Sequence, residues 1–433
     1  MKKILKHIAR NIISRILILE SRIVLRKYRP QIIVVTGTVG KTSTKDALYA
    51  VFSSFTSVRR SDKSFNSEIG VPLTILNLPN AWGSLFGWVK NILRGLVLIF
   101  SHQPYPRWLI IEVGTDKPGD VSGIANWLVP DVVVATRFAE IPVHVENFKN
   151  PEDVIKEEQS IAFSLKKDGM LVVNNDDPLS VKLRDNLEVN GVSFGMSEKA
   201  GIYATHIELL ENTDRPIGMR FRVNYKDASV PITINGALGV QHIYPVIAAI
   251  ATGISQGVNL VKIGRVFDSY ETPRGRMRII EGKNNTTLID DTYNSSPVAA
   301  EQALVTLKQI HAKGRKIVVL GDMKELGDYT QKEHERIGKI ASTCADVCIF
   351  VGAYTSYFAQ GARNGGIERK DIFECENVEQ AKKVVQDVLG AHDILLLKGS
   401  QSVRLEKVVE SIMQHPEYAD SMLARQEVEW KKR

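Results

Sequence analysis

The sequence predicts an α/β protein: two domains of alternating strands and helices behind a basic amphipathic helix. Three observations lead there. A β-branched run, Gln31–Val35, feeds a glycine-lysine loop and then helical spacing from Ser43 towards Phe52. That is the strand–loop–helix opening of an α/β domain. In the second half, strand-like runs alternate with helical stretches, the pattern of a doubly wound sheet. And residues 1–28 hold eight Lys or Arg against Glu20 alone, which accounts for the whole net charge of +7.

Taken in order, the first 29 residues form a helix. Ile4, Leu5, Ile8, Ile12, Ile16, Leu19 and Ile23 recur at three- and four-residue spacing and make one apolar stripe. Strands are expected at Trp108–Val113, Val132–Thr136 and Met170–Asn174. Residues 201–235 read as a β-rich excursion, and a helix from Val240 to Gln256 closes a domain over 30–270. The linker-like Tyr270–Gly275 opens a second domain, 271–433. Its strands are Thr287–Ile289, Lys316–Leu320, Val347–Val351 and Ile394–Lys398, and its helices Val298–His311, Thr330–Ser342, Val378–Leu389 and Ser402–Met413. A chain of 433 residues is too long for one core, so two or three domains are the natural division.

Composition narrows the function classes. Hydrophobic content of 44% and charged content of 24% are those of a folded soluble protein. Outside the first helix, 48 basic residues balance 48 acidic ones, so no nucleic-acid-binding face is expected. Cys344, Cys348 and Cys375 lack the partners of a zinc site and read as reduced thiols of a cytosolic protein. No stretch reaches ~18 uncharged apolar residues, so no transmembrane span is expected.

The chemistry begins at Thr36-Gly37-Thr38-Val39-Gly40-Lys41-Thr42-Ser43-Thr44. Gly37 and Gly40 let the backbone amides of Thr38 to Ser43 turn towards a phosphate, Lys41 neutralises it, and Thr42 offers a hydroxyl to magnesium. The usual spacing needs a glycine at 35, where Val35 stands, so the loop is a shortened variant. This variant resembles the ATP loop of the Mur ligase family. Asn66–Thr74, Ile111-Glu112-Val113-Gly114, Val143-His144-Val145-Glu146, Asn174–Asp177, Gly275-Arg276, Asp290–Asn294, Leu320–Gly327 and Lys398-Gly399-Ser400 follow in the order of its MurF branch, over residues 31–410.

The resemblance implies a P-loop Mur-ligase central domain and a C-terminal Rossmann-like domain with ATP between them. It also implies amide-bond ligation through an acyl phosphate, with ATP and Mg2+ as cofactors. The partners are a carboxylate-bearing cell-wall precursor and D-alanyl-D-alanine or a similar short amino compound, the same chemistry on a lipid-linked substrate being an alternative. A non-catalytic, membrane-attached nucleotide-binding protein is the reading of another class. By the same resemblance Lys41, Glu112, His144 and Arg276 are catalytic, and Thr42, Glu112 and His144 serve magnesium. Asp291, Tyr293 and Asn294 hold ribose and adenine, and Asp322, Lys398, Gly399 and Ser400 bind the incoming substrate.

Three departures from the family stand out. The carbamylated lysine of the second magnesium site is replaced by Glu158, an anionic group on a shorter stem. The adenine-side motif reads Gly239-Val240-Gln241-His242-Ile243-Tyr244-Pro245, without its asparagines. Only about thirty residues precede the phosphate loop, too few for the UDP-sugar-binding domain with which MurF enzymes begin. An extra aromatic-rich stretch, Trp82–Trp108, also interrupts the first domain. With residues 1–28 it implies a cytoplasmic protein resting on the inner face of the membrane; a helix packed on the protein's own core is the alternative.

Overall fold

The computed structural model describes residues 2–62, 65–212, 215–427 and 430, with side chains from Arg10 onward. Ile4, Leu5 and Ile8 of the expected stripe therefore lie outside the described side chains. The first helix spans Lys2–Tyr28.

Two sheets organise the chain. The first has nine strands, in spatial order Val58–Arg60, Trp108–Glu112, Gln31–Thr36, Val132–Ala135, Met170–Asn174, Asn190–Gly195, Ile202–Asn212, Arg215–Tyr225 and Ala228–Asn235. All pairings are parallel up to Ile202–Asn212, after which the chain doubles back as an antiparallel meander. The central strands are buried along nearly their whole length, which explains their unbroken Val and Ile runs. One face is covered by the helices Lys41–Ser53 and Val240–Ser255. The latter buries residues all round, so its apolar pattern is continuous rather than striped. The other face carries the Gly70–Leu76 helix and, at Leu17 and Val24, the first helix.

The second sheet runs Arg278–Glu281, Thr287–Asp291, Ile394–Lys398, Lys316–Gly321, Val347–Val351, Ile372–Cys375, and only its first strand is antiparallel. Helices pack on both of its faces. The register brings Val35 beside Glu112 in one sheet and Asp291 beside Lys398 in the other. Both pairs stand at carboxyl ends of parallel strands, where open α/β sheets form sites.

The β-rich excursion, expected within the 30–270 domain, continues the first sheet. Some details depart from the sequence reading. The expected helix Ser402–Met413 is only Glu406–Ile412, because Arg404 takes a left-handed conformation at φ 64. The edge strands Arg278–Glu281 and Ile372–Cys375 went unread, being four-residue segments only partly buried and so without an apolar run.

Candidate functional site

The loop after Thr36 is fixed by glycine geometry. Gly37 has φ 121, and a Cβ there would stand 2.3 Å from Thr136 Oγ1. Gly40, at φ 89, precedes the helix Lys41–Ser53 and lets the chain enter it directly. The amides of Thr38 and Val39 donate to the Arg137 carbonyl at 2.8 and 3.2 Å, and Thr136 Oγ1 donates to the Val39 carbonyl at 2.8 Å. The loop is thus set by its neighbours before any ligand arrives.

Thr38–Thr42 form one wall of a cleft whose other walls are Asn66, Glu112, Val143, His144 and, from the second domain, Arg276 and Tyr293–Ser296. Within it Thr42 Oγ1 donates to Glu112 Oε1 at 3.2 Å. Glu112 is 2% exposed, and its Oε2 has no hydrogen-bond partner. Lys45, one turn further along the helix and equally buried, stands 3.7 Å from that oxygen. A hydroxyl beside a carboxylate with an unsatisfied oxygen is a donor set suited to a hard divalent cation. Among the described residues no group of three His, Cys, Asp or Glu could hold a metal without further ligands. A cation here would draw the rest of its shell from phosphate oxygens and water, as magnesium does.

Lys41 Nζ donates to the Gly37 carbonyl and lies 3.5 Å from Glu158 Oε1. Glu158 Oε2 accepts from Thr38 Oγ1 at 2.6 Å. Its carboxylate is therefore engaged behind the loop and does not border the cleft, whereas His144 does. His144, at φ 68, is ion-paired across the domains with Glu325 at 2.7 Å and within its own domain with Asp116 at 3.5 Å. Burial works against its charged form, but the Glu325 hydrogen bond and charge outweigh it and raise its pKa. Gly327 packs on Glu146 beside this pair, so the 321–327 segment closes onto the first domain.

In the second domain several of the expected site residues are buried. Lys398, expected on the substrate, is 1% exposed. Its Nζ is held by Asp291 at 2.8 Å and the Asn294 carbonyl at 2.9 Å. Asp291 in turn is the buried partner of that ion pair. Asp322, also 1% exposed, accepts from the amides of Ala353 and Tyr354 and from Lys324 Nζ at 2.6 Å. Ser400 accepts from the Lys324 amide, and Gly399 packs against Gly321. These groups satisfy one another where two strands end, and so brace the loops around them. Ser43 likewise turns into the protein at 6% exposure.

Tyr293 and Arg276 are on the cleft. The Arg276 guanidinium lies 4.5 Å from the Tyr293 ring centroid, with Arg425 at 5.1 Å. The Arg276 carbonyl accepts from the His242 ring at 2.8 Å, so the Nε2 of that ring carries the proton. Burial lowers the pKa of His242 to about 4. A folded pKa below the unfolded 6.5 contributes stability that is complete above pH 6.5 and lost as pH falls through about 4. Relative to His242→Asn, the parent should lose up to about 3 kcal/mol of its advantage between pH 7 and pH 4. Urea melts of both proteins at the two pH values measure this, and a pH-independent difference would contradict it.

Two further recesses adjoin the cleft; the sequence reading missed the first and named only the adenine-side motif and Asn174 of the second. One is basic: Lys45, Arg60, Arg274, Arg276 and Arg425 line it with Asp46, Asp62 and Glu427, and it shares Thr42, Arg276 and Tyr293 with the cleft. The other is narrow and shares Val39 and Gly40 with the cleft, continuing past Asn174, Phe194, Gln241 and Tyr244. The Gln241 amide has neither its oxygen nor its nitrogen hydrogen-bonded. Lys45 lies four residues after Lys41 on a helix, a spacing that could have flagged it; Arg425 is too distant in sequence for any such signal.

Comparison with known proteins gives a consistent result. A family model described as Mur ligase middle domain matches residues 35–86 and 97–253, and one described as Mur ligase, glutamate ligase domain matches 275–401. The UDP-N-acetylmuramoyl-tripeptide–D-alanyl-D-alanine ligase of Bacillus subtilis is 25% identical over 395 residues, 90% of this chain and 78% of its own. Among solved structures, MurF from Acinetobacter baumannii superposes with a TM-score of 0.73 at 21% identity, covering 92% of this chain and 79% of its own. MurF from Thermotoga maritima in complex with ADP gives 0.72 at 22% identity, covering 94% and 84%.

Proposed function

We propose, for a chain that belongs to the Mur ligase family of ATP-dependent acid–amino-acid ligases, that it joins D-alanyl-D-alanine or a similar short amino compound to a carboxylate-bearing peptidoglycan precursor. The observation that carries this reading is the meeting of the phosphate-loop cleft and the basic recess at Thr42, Arg276 and Tyr293. A γ-phosphoryl group in the first and a carboxylate in the second would face each other there. We place the domain boundaries at 29/30 and 270/271, and the protein in the cytoplasm.

In this scheme ATP lies along the loop, its base in the narrow recess and its phosphates at Gly40, Lys41 and Thr42. Gln241, with one donor and one acceptor free, matches an adenine edge and does the work of the missing asparagines. A carboxylate oxygen of the acceptor attacks the γ-phosphorus, the bond to the β-phosphate oxygen breaks, and ADP leaves. The amine then attacks the acyl carbon, inorganic phosphate leaves, and the nitrogen gives up a proton. Thr42 and Glu112 would hold magnesium, which supplies charge neutralisation between carboxylate and phosphate. Lys41 and Arg276 add fixed positive charge, and Glu158 orients Lys41 and Thr38. A second magnesium at His144 would have to displace the carboxylate of Glu325.

ADP release measured with and without acceptor and amine tests the reading. Release should need the acceptor and prefer ATP to GTP, and Gln241→Leu should lower that preference about tenfold. Release that ignores the acceptor would mean ATP hydrolysis by water, without ligase chemistry.

A further inference from the structure

The first helix and the helix Leu85–Phe100 are both built inside out. Lys2–Tyr28 turns Ser14, Glu20 and Ser21 inward beside Leu17 and Val24, while Ile12 and Leu19 of its aliphatic stripe are 53% and 58% exposed. Leu85–Phe100 buries only Asn91, Gly95 and Leu98. Phe86, Val89, Leu93, Val97 and Phe100 recur every three or four residues on its outer side, at 80, 54, 57, 53 and 82% exposure. A helix on a water-soluble protein normally does the reverse. Scattered exposed apolar residues are ordinary, but a stripe running the length of a helix marks an interaction surface.

The two helices are fastened to each other. The Glu20 carboxyl lies on Gly95, where a Cβ would come within 2.2 Å of it, so a larger residue there would push that carboxyl aside. Lys27 Nζ donates to the carbonyls of Leu98, Ile99 and Ser101 at 3.2, 2.8 and 2.5 Å, satisfying the end of the second helix. Their charge is one-sided. Residues 1–28 carry +7, and from Ile69 to Ile111 there are Lys90, Arg94 and Arg107 with no acidic residue. Lys90 and Arg94 are exposed among the apolar side chains. Among the described residues no helix is long and apolar enough to cross a membrane.

We propose that this helix pair is a docking surface for an anionic lipid bilayer, lying in the interface with its apolar stripes among the acyl chains and its lysines and arginines among the headgroups. Apolar depth and positive charge together fit this partner. A second copy of the chain, carrying the same positive charge, would meet it with repulsion. The segment next to the pair, 65–70, supplies Asn66 to the cleft, so a docked enzyme holds its site close to membrane-borne acceptors.

The test is co-sedimentation of the full chain with vesicles of phosphatidylglycerol and phosphatidylcholine against phosphatidylcholine alone, at low and moderate salt. The parent should bind the anionic vesicles, at least tenfold more weakly as salt rises or anionic lipid is removed. Leu93→Glu/Val97→Glu should lower binding at least tenfold while keeping the parent's thermal melt and its ADP release with soluble substrates. That release is read in parallel, so failure of the ligase scheme shows separately. Parent-like vesicle binding by the double variant would overturn the proposal. So would a discrete parent dimer that the double variant dissolves, with no binding to vesicles.

Discussion

Lys41→Ala is expected to abolish ATP turnover while leaving the protein folded. The side chain is 15% exposed and sits on the cleft, with the Gly37 carbonyl and Glu158 as its partners. Removing it leaves Glu158 still bonded to Thr38, so the cost to folding should be about 1–3 kcal/mol, within the margin of a domain. A phosphoryl transfer deprived of this cation should slow by about three to five orders of magnitude. Steady-state ADP release together with a thermal melt measures both parts. Near-normal release from a folded variant would remove the phosphate loop from the mechanism.

Glu112→Gln has the next largest expected effect, and it acts twice. The amide keeps the shape that Thr42 contacts but loses the anionic oxygen a divalent cation needs, so turnover should fall about a thousandfold or more. Added magnesium should recover little of it. Lys45, buried beside Glu112, loses one carboxylate and keeps Asp46 at 3.7 Å. Removing one member of a buried ion pair costs about 3–5 kcal/mol, and the remaining carboxylate should hold the loss to the low end. A magnesium titration of ADP release and a urea melt separate the two effects. A parent-like magnesium dependence would show that Glu112 is a structural partner of Lys45 and nothing more.

What the sequence could tell divides along physical lines. Local signals were reliable: the β-branched runs became the central strands. The loop residues Thr38–Thr42, with Glu112, His144, Arg276, Tyr293 and Asn294, all came to border one cleft. Motif matching does not foresee burial. Lys398, Asp291 and Asp322 occupy motif positions, and in the fold all three are buried, Lys398 paired with Asp291 and Asp322 with Lys324. The basic recess was illegible because Arg60, Arg274 and Arg425 come from three distant segments. The first helix shows the limit of periodicity most clearly. The stripe at Ile12, Leu19 and Ile23 is real, but spacing cannot say whether such a stripe faces the core or the outside.

The central claim, acyl-phosphate ligation, is tested most directly by following oxygen. With 18O placed in the acceptor carboxylate, attack on the γ-phosphorus carries one labelled oxygen into the inorganic phosphate released with ADP. The assay uses UDP-N-acetylmuramoyl-tripeptide and its lipid-linked counterpart as acceptors, with D-alanyl-D-alanine as the amine. The account predicts acceptor-dependent ADP and one 18O per phosphate with at least one of the two. Unlabelled phosphate, or no ADP with either acceptor, would contradict it.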